Sequence, residues 1–457
     1  MKSSALSLAQ KEIWLDQVVG APSSSYNCGG YVEIVGPLDV DLFSRAISMA
    51  VEKHDCLRIR LIERFGQDFP EFLVEDSCGP YIDYLDFSDK PDADGVALAW
   101  MELQFCRSFD MYGAALFHYC LIRVGKERHF WFRRYHHLII DGWGMAIVAG
   151  SVGAAYTGLL RGGLENTAAP SFIESLVFDA EYLASVAFVR DEAHWRAKYA
   201  TMPKSFCAAR DLSAVGSYPL PSAVVRSVIR RKSLDILSKR LGDASSLHAV
   251  LIALSIYIAR TSGGDDFVIG LPALNRPNAK MREIAGLFVG TAPVRFQVNT
   301  DWTVGELRSY IKKTLRENYR YQRYPLSQIV KTAGVMAQDR RGFFDVAVSF
   351  VKQAHNLDFG GLRCRSVALH GACKRTPLTL FISEFDSESD VGLDFIYNSA
   401  FFSAAEVENA SIRFQEIFDF LVSADDCTVV REINILPNAE RQQLLVEWNR
   451  THASYPS

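Results

Sequence analysis

An α+β fold in two lobes is what this sequence predicts, and three observations carry the prediction. The chain has 457 residues, too many for one ordinary core and enough for two units of roughly 200 residues each. Strand-like and helix-like periods are mixed in each half without the strict alternation of a doubly wound sheet. Between the halves, Arg161-Gly162-Gly163 through Ala169-Pro170-Ser171 is small, polar and turn-rich. The first lobe is therefore expected over 1–170 and the second over 171–435.

Taken in order, Leu6 to Gln17 reads as a helix, Gly30 to Val35 as a strand and Val40 to Glu52 as a helix. Leu57 to Ile62 and Glu71 to Glu75 are short strands, and Ala93 to Phe105 is a helix. Ala115 to Val124 and His129 to Tyr135, joined by Gly125-Lys126-Glu127, have the spacing of a hairpin. A helix follows from Met145 to Leu160. Helices at Phe172 to Val186 and Glu192 to Tyr199 bridge to the second half. There, strands are expected at Val224 to Arg230, Phe267 to Gly270, Phe288 to Phe296, Val346 to Val351, Leu378 to Ser383 and Leu393 to Tyr397. Helices are expected at Ser233 to Arg240, Leu247 to Thr261, Val304 to Arg320 and Ala404 to Leu421.

Composition excludes several classes. Apolar residues make up 49% and charged residues 22% of the chain, the balance of a folded soluble domain, and the net charge of −4 gives no nucleic-acid or anionic-membrane footprint. The nine cysteines are scattered, odd in number and lack metal spacing, which fits a reducing, cytoplasmic compartment. The start, Met1-Lys2-Ser3-Ser4-Ala5-Leu6, has no signal-peptide core. Ala249 to Ala259, the longest apolar run, is too short for a membrane span and reads as a buried helix.

The chemistry concentrates at His136-His137-Leu138-Ile139-Ile140-Asp141-Gly142. The strand before it runs directly into two histidines. Neighbouring strand side chains point to opposite faces, so one ring faces a reaction and the other packs or orients. Asp141 suits a helix start and an ion pair, and Gly142 a tight turn. Histidine is the natural group for moving a proton near neutral pH. Two plainer readings compete: a metal site, which the opposed directions of adjacent side chains disfavour, and ordinary core packing.

His-His-x-x-x-Asp-Gly after a strand resembles the central motif of nonribosomal peptide synthetase condensation domains, and its looser form resembles that of chloramphenicol acetyltransferase. Further motifs follow in the same order. Leu6-Ser7-Leu8-Ala9-Gln10 resembles the family's opening Ser-x-Ala-Gln. Lys53-His54-Asp55-Cys56-Leu57-Arg58 resembles Arg-His-Glu-x-Leu-Arg. Leu274-Asn275-Arg276-Pro277 resembles Ser-Gly-Arg-Pro, and Ile284 to Thr291 resembles Val-Gly-x-Phe-Val-Asn-Thr with Gly290 in place of Asn. Tyr321-Gln322-Arg323-Tyr324-Pro325 resembles the next motif, with Arg323 departing from it. Ile435-Leu436-Pro437 to Tyr455-Pro456 resembles the linker into an adenylation domain, here 436–457.

The resemblance implies two chloramphenicol-acetyltransferase-like lobes in a V-shaped pseudodimer, with a tunnel between them. His137 is the implied base or amine-positioning group. His136, Asp141, Gly142, Arg276 and Arg58 are implied to be structural, Asp141 through an ion pair with Arg276. The donor is an acyl thioester and the acceptor an aminoacyl peptidyl carrier protein, whose phosphopantetheine belongs to the partner. The domain is expected to bind no metal or cofactor of its own and to act as a monomer.

The first motif arrives within ten residues of Met1, so the donor is expected from outside: soluble acyl-CoA, as in starter condensation domains of lipopeptide synthetases, or a separate carrier protein. The run Tyr135 to Gly144 resembles starter domains. Trp143, Gly144 and Met145, at the mouth of the following helix, are expected to line a channel for a medium or long fatty acyl chain, with Gly144 leaving room and Met145 as flexible filler. The plain alternative for Met145 is helix core. Ser349 is expected to approach from the second lobe. The rival class is a module that docks carrier proteins without chemistry.

Overall fold

The computed structural model describes residues 3–20, 23–76, 81–163, 168–210, 221–242, 245–333, 342–352, 357–371 and 376–450. Thr451 and Tyr455-Pro456 of the linker motif lie outside these residues. In chain order, the first half holds β1 (Ser4–Ala5), α1 (Leu8–Val18), β2 (Asn27–Val35), α2 (Val40–Lys53), β3 (Ile59–Ile62), β4 (Glu71–Val74), β5 (Asp83–Asp86), α3 (Ala93–Phe105), β6 (Phe117–Gly125), β7 (Arg128–His136) and α4 (Gly142–Leu160). The second half holds α5 (Phe172–Leu183), α6 (Val186–Lys198), β8 (Ser222–Ile229), α7 (Arg231–Arg240), α8 (Ser246–Thr261), β9 (Asp266–Ala273), α9 (Ala279–Glu283), β10 (Gly290–Gln297), α10 (Val304–Tyr319) and α11 (Leu326–Thr332). It ends with β11 (Val346–Lys352), β12 (Arg363–Ala368), β13 (Leu378–Glu384), β14 (Val391–Asn398), α12 (Ala404–Ser423) and α13 (Asn438–Gln442).

The fold is α+β in two lobes, each built on a mixed sheet. The first sheet has the order β12-β2-β7-β6-β5 and the second β10-β9-β11-β13-β14-β8. The hairpin β6–β7 turns through Lys126-Glu127, with Tyr119 opposite Arg133 and Phe117 opposite Tyr135. Below the first sheet, α2 and α4 bury Phe43, Ala46, Ile47, Val148 and Val152 against Trp131 and Tyr135. On its other face, α3 buries Ala97, Met101 and Phe105 against Phe130 and Phe132. In the second lobe α8 is apolar all round because α10 and α12 cover what the sheet does not. The helices start where a side chain takes up orphan N–H groups: Ser7 with Gln10 at α1, Thr303 with Glu306 at α10 and Ser403 with Glu406 at α12 form capping boxes.

Four expectations need correction. The helix expected from Phe172 to Val186 ends at Leu183, and the one expected from Glu192 begins at Val186, where Ser185 caps it. The strand expected from Phe288 begins at Gly290, because 284–289 is loop wrapped around Asp141. The strand expected from Leu57 begins at Ile59; Asp55–Arg58 is a 3-10 turn whose Asp55 carboxylate accepts the Phe172 N–H at 2.9 Å and the Ser171 hydroxyl, so it serves α5. The longest apolar helix is α4, 19 residues, long and apolar enough by composition to cross a membrane. Its Val148, Ala149, Val152 and Tyr156 are packed in the first-lobe core, which accounts for that character. Strands β1, β5 and β12 and helices α9, α11 and α13 were not expected. Among these β12 matters most: it leaves the second half and pairs antiparallel with β2, Ala368 opposite Gly30.

Candidate active site

Strand β7 carries its alternation as far as His136 and then releases the chain into a turn over His137–Ile139. His136 is fully buried. Its Nδ1 accepts the Leu138 N–H at 3.1 Å, and its ring packs edge-on against Phe109 with Tyr26 beside it. Burial, and secondarily His137, pushes its pKa down to about 3. At neutral pH it is an uncharged ring with Nδ1 occupied, which suits anchoring and not proton transfer. His137 is half-buried, and its backbone N–H donates to the Tyr26 carbonyl at 2.8 Å. The apolar residues Leu138, Ile139 and Ile140 are all fully buried and pin the loop. From α1, the Gln10 amide donates to the Leu138 carbonyl at 3.1 Å.

Asp141 closes the loop. It is 1% exposed, and Arg276 is 3% exposed. One Asp141 oxygen accepts the Gly144 N–H at 2.7 Å and caps α4; the other accepts the Phe288 and Val289 N–H groups at 3.0 and 3.1 Å. Arg276 Nη2 donates to both oxygens, at 3.0 and 3.1 Å. Nη2 also donates to the Gly286 carbonyl, Nη1 donates to the carbonyls of Met281 and Ile284, and the guanidinium lies over the Phe288 ring. Burial draws the Arg276 pKa below its ordinary value against the opposing pull of Asp141. A pair with this many hydrogen bonds offsets the cost of burying two charges, and it ties the end of β7 to the second half of the chain.

The remaining predicted residues fall into two groups. Trp143 Nε1 donates to the Arg282 carbonyl at 2.8 Å, and Met145 is half-buried against the first-lobe core. A Cβ on Gly142 would lie 3.3 Å from Val351 of β11. A Cβ on Gly144 would lie 2.9 Å from the Gly286 nitrogen, so the room at Gly144 is taken by the Gly286 backbone instead of a channel. Arg58 is not brought onto the loop: its Nη1 donates to the Glu52 carbonyl at 3.1 Å. Ser349 sits on β11 opposite Phe381, and it is Val351, two residues on, that touches the loop. Arg323 donates to the Phe178 carbonyl and lies over Tyr182. His136 and His137 diverge and Asp141 is fully engaged, so these three do not form a metal-ligand set.

Sequence reasoning missed Gln10, Gly286 and Val351 beside the loop, and Asp55 as the cap of α5. Gln10 and Asp55 stand inside quoted motifs, but their partners are far along the chain. Gly286 carried a signal as an isolated glycine: a Cβ there would overlap the Phe172 ring, and its carbonyl takes both the Asp141 N–H and Arg276.

The condensation-domain family model matches residues 2–445. The dimodular nonribosomal peptide synthase of Bacillus subtilis (strain 168) is 24% identical over 98% of this chain, which spans only 19% of that protein. Enterobactin synthase component F of Escherichia coli O157:H7 is 24% identical over 98% of the chain, which spans 34% of it. Among solved structures, the starter condensation domain of rhizomide synthetase, in complex with C8-CoA, matches with a TM-score of 0.86 at 25% identity, covering 95% of this chain and 98% of that one. The first condensation domain of the calcium-dependent antibiotic synthetase, in complex with a substrate analogue, matches with a TM-score of 0.83 at 22% identity over 96% and 100% of the two chains. With its two mixed-sheet lobes and its histidine loop locked by a buried ion pair, the chain belongs to the condensation-domain family.

Proposed function

We propose that this chain is a starter condensation domain that forms an amide between an acyl thioester, fatty acyl-CoA, and the amine of an aminoacyl group on a carrier protein. The observation that carries this reading is the division of labour between the two histidines. His136 is buried, neutral and committed at Nδ1, while His137 is half-exposed on a loop fixed by Gln10 and by the Asp141–Arg276 pair. The similar rhizomide synthetase domain, solved with C8-CoA, supports the choice of donor.

In the reaction the amine nitrogen attacks the thioester carbonyl, the C–N bond forms and the C–S bond breaks. His137 accepts a hydrogen bond from the amine and so aims its lone pair at the carbonyl; the proton lost by nitrogen ends on the departing thiolate. The larger part of the gain comes from holding two large substrates together. The phosphopantetheine arm is the carrier's, the region 436–457 leads toward an adenylation domain, and the compartment is cytoplasmic. A second reading, delivery of the donor on a separate carrier protein, is favoured by the dimodular relative, of which this chain spans 19%.

The test is turnover. Octanoyl-CoA and aminoacyl-carrier are mixed with the protein and the N-acyl product is followed by mass. Product from the CoA ester supports the proposal, product only from an acyl-carrier selects the second reading, and no product from either marks a docking module.

A further inference from the structure

Arg133 is a half-buried cation that the mechanism above does not use. It lies on β7 on the face of Trp131 and Tyr135, four residues before His137, which stands in the turn just past the strand, roughly 13 Å along the chain. That face is the one covered by α2 and α4, where Trp131, Tyr119 and Tyr135 share a cluster with Val148 and Val152 and with the half-buried Met145. The Arg133 guanidinium stands 4.8 Å over the Trp131 ring; its Nε is buried with no hydrogen-bond partner among the described residues, as are those of Arg58, Arg134 and Arg276, whose Nη groups are however held by carbonyls. Among the described residues, the titratable groups that act on it are Tyr119 and Tyr135, both neutral phenols at neutral pH.

Its neighbours on the same sheet are treated differently. Arg128 is paired with Glu33 and Asp94, Arg123 with Asp86, and Arg134 with the carbonyls of Gln104 and Arg107. Across the strands, Arg133 has Tyr119 on one side and, on the other, Gly30 followed by Ala368. Directly opposed residues share a face, so the row beside the guanidinium is filled by one large residue on one side and by almost no side chain on the other. A half-buried arginine with no acidic partner among the described residues, beside a row of small residues, is the arrangement that receives a carboxylate. A plain hydrocarbon tail laid there would strip water from the cation and give nothing back.

We propose that Arg133 binds a carboxylate carried at the far end of the donor's acyl chain, making the preferred donor a dicarboxylic half-thioester. The inference rests on the reading of this chain as a condensation domain that takes an acyl thioester, and it names the class of that acyl group. The chain enters beside His137, passes Met145 and α4, and ends on the guanidinium.

The experiment is a competition in one sample between octanoyl-CoA and the CoA half-ester of octanedioic acid, with product ratio as readout. Because both products come from the same enzyme molecules, a fraction of misfolded protein cancels. The wild type favours the carboxylated donor by about ten- to a hundredfold, the range of a charged hydrogen bond. Arg133→Gln lowers that ratio by about tenfold or more, and Arg133→Lys, which keeps charge but not the fork, falls between. A wild-type ratio at or below one across a series of chain lengths, or a ratio unmoved by Arg133→Gln, overturns the assignment while leaving acyl transfer intact. No turnover with either donor, as CoA ester or loaded on a carrier protein, removes the parent reading and this inference with it.

Discussion

Removing Asp141 tests whether it is an anchor or a chemical participant. Asp141→Ala would leave Arg276 buried with its charge uncompensated, at a cost of about 3–5 kcal/mol. It also deletes the α4 N-cap, worth about 1 kcal/mol, and strands the Phe288 and Val289 N–H groups. Part of this overlaps, so the expected loss is about 4 kcal/mol. At about 2–4 °C per kcal/mol for a lobe-sized unit, the midpoint of thermal unfolding drops by about 8–16 °C. Arg276→Leu should cost a similar amount for the same reason. The double variant Asp141→Ala with Arg276→Leu should be more stable than the sum of the single losses predicts, because neither charge is left alone. The assay is urea unfolding of the wild type, both singles and the double variant, with turnover measured on each. Wild-type stability in Asp141→Ala together with lost turnover would refute the anchoring role, as would strictly additive losses in the double variant.

Other consequences follow from the same contacts. Acid should destabilise the fold: burial holds His136 at about 3 and His54 at about 4, against 6.5 for a free ring. Between pH 6.5 and 4 the unfolded chain therefore binds more protons than the folded one, and stability falls on acidification by at most about 1.4 kcal/mol per pH unit for each ring; a flat stability profile over that range, with carboxylate titration accounted for, would contradict the burial. Gln10→Ala leaves the buried Leu138 carbonyl without its donor and should cost about 1–3 kcal/mol, read by the shift of the urea midpoint. Met145→Arg, at the mouth of α4, should shorten the preferred acyl chain; an unmoved profile with acyl-CoAs of graded length would remove Met145 from the channel.

Much of the architecture was legible because it is local. The hairpin β6–β7, α2 and α3 follow from periods within one element, and their bounds fall within about two residues of those read from sequence. What was not legible is long-range. Strand β12 reads Arg363-Cys364-Arg365-Ser366-Val367-Ala368, with no clean apolar alternation, and it exists because β2 offers an edge more than 300 residues earlier. Strand β5 is short, carries Asp83 and Asp86 and is largely exposed, so its period is faint. At the site, strand alternation reaches His136 but stops before His137, which lies in the turn, and the sequence could not say that Gly144 is small for the sake of the Gly286 backbone. Nor could it show that Arg133 lacks a counter-ion, since that depends on which residues stand in the neighbouring strands.

The most direct test of the central claim compares His137→Ala with His136→Ala, reading the N-acyl product by mass against the folded fraction by circular dichroism. The account predicts that His137→Ala keeps the fold and loses nearly all turnover, while His136→Ala loses stability and turnover together by opening a cavity beside Phe109. Full turnover by folded His137→Ala would contradict it.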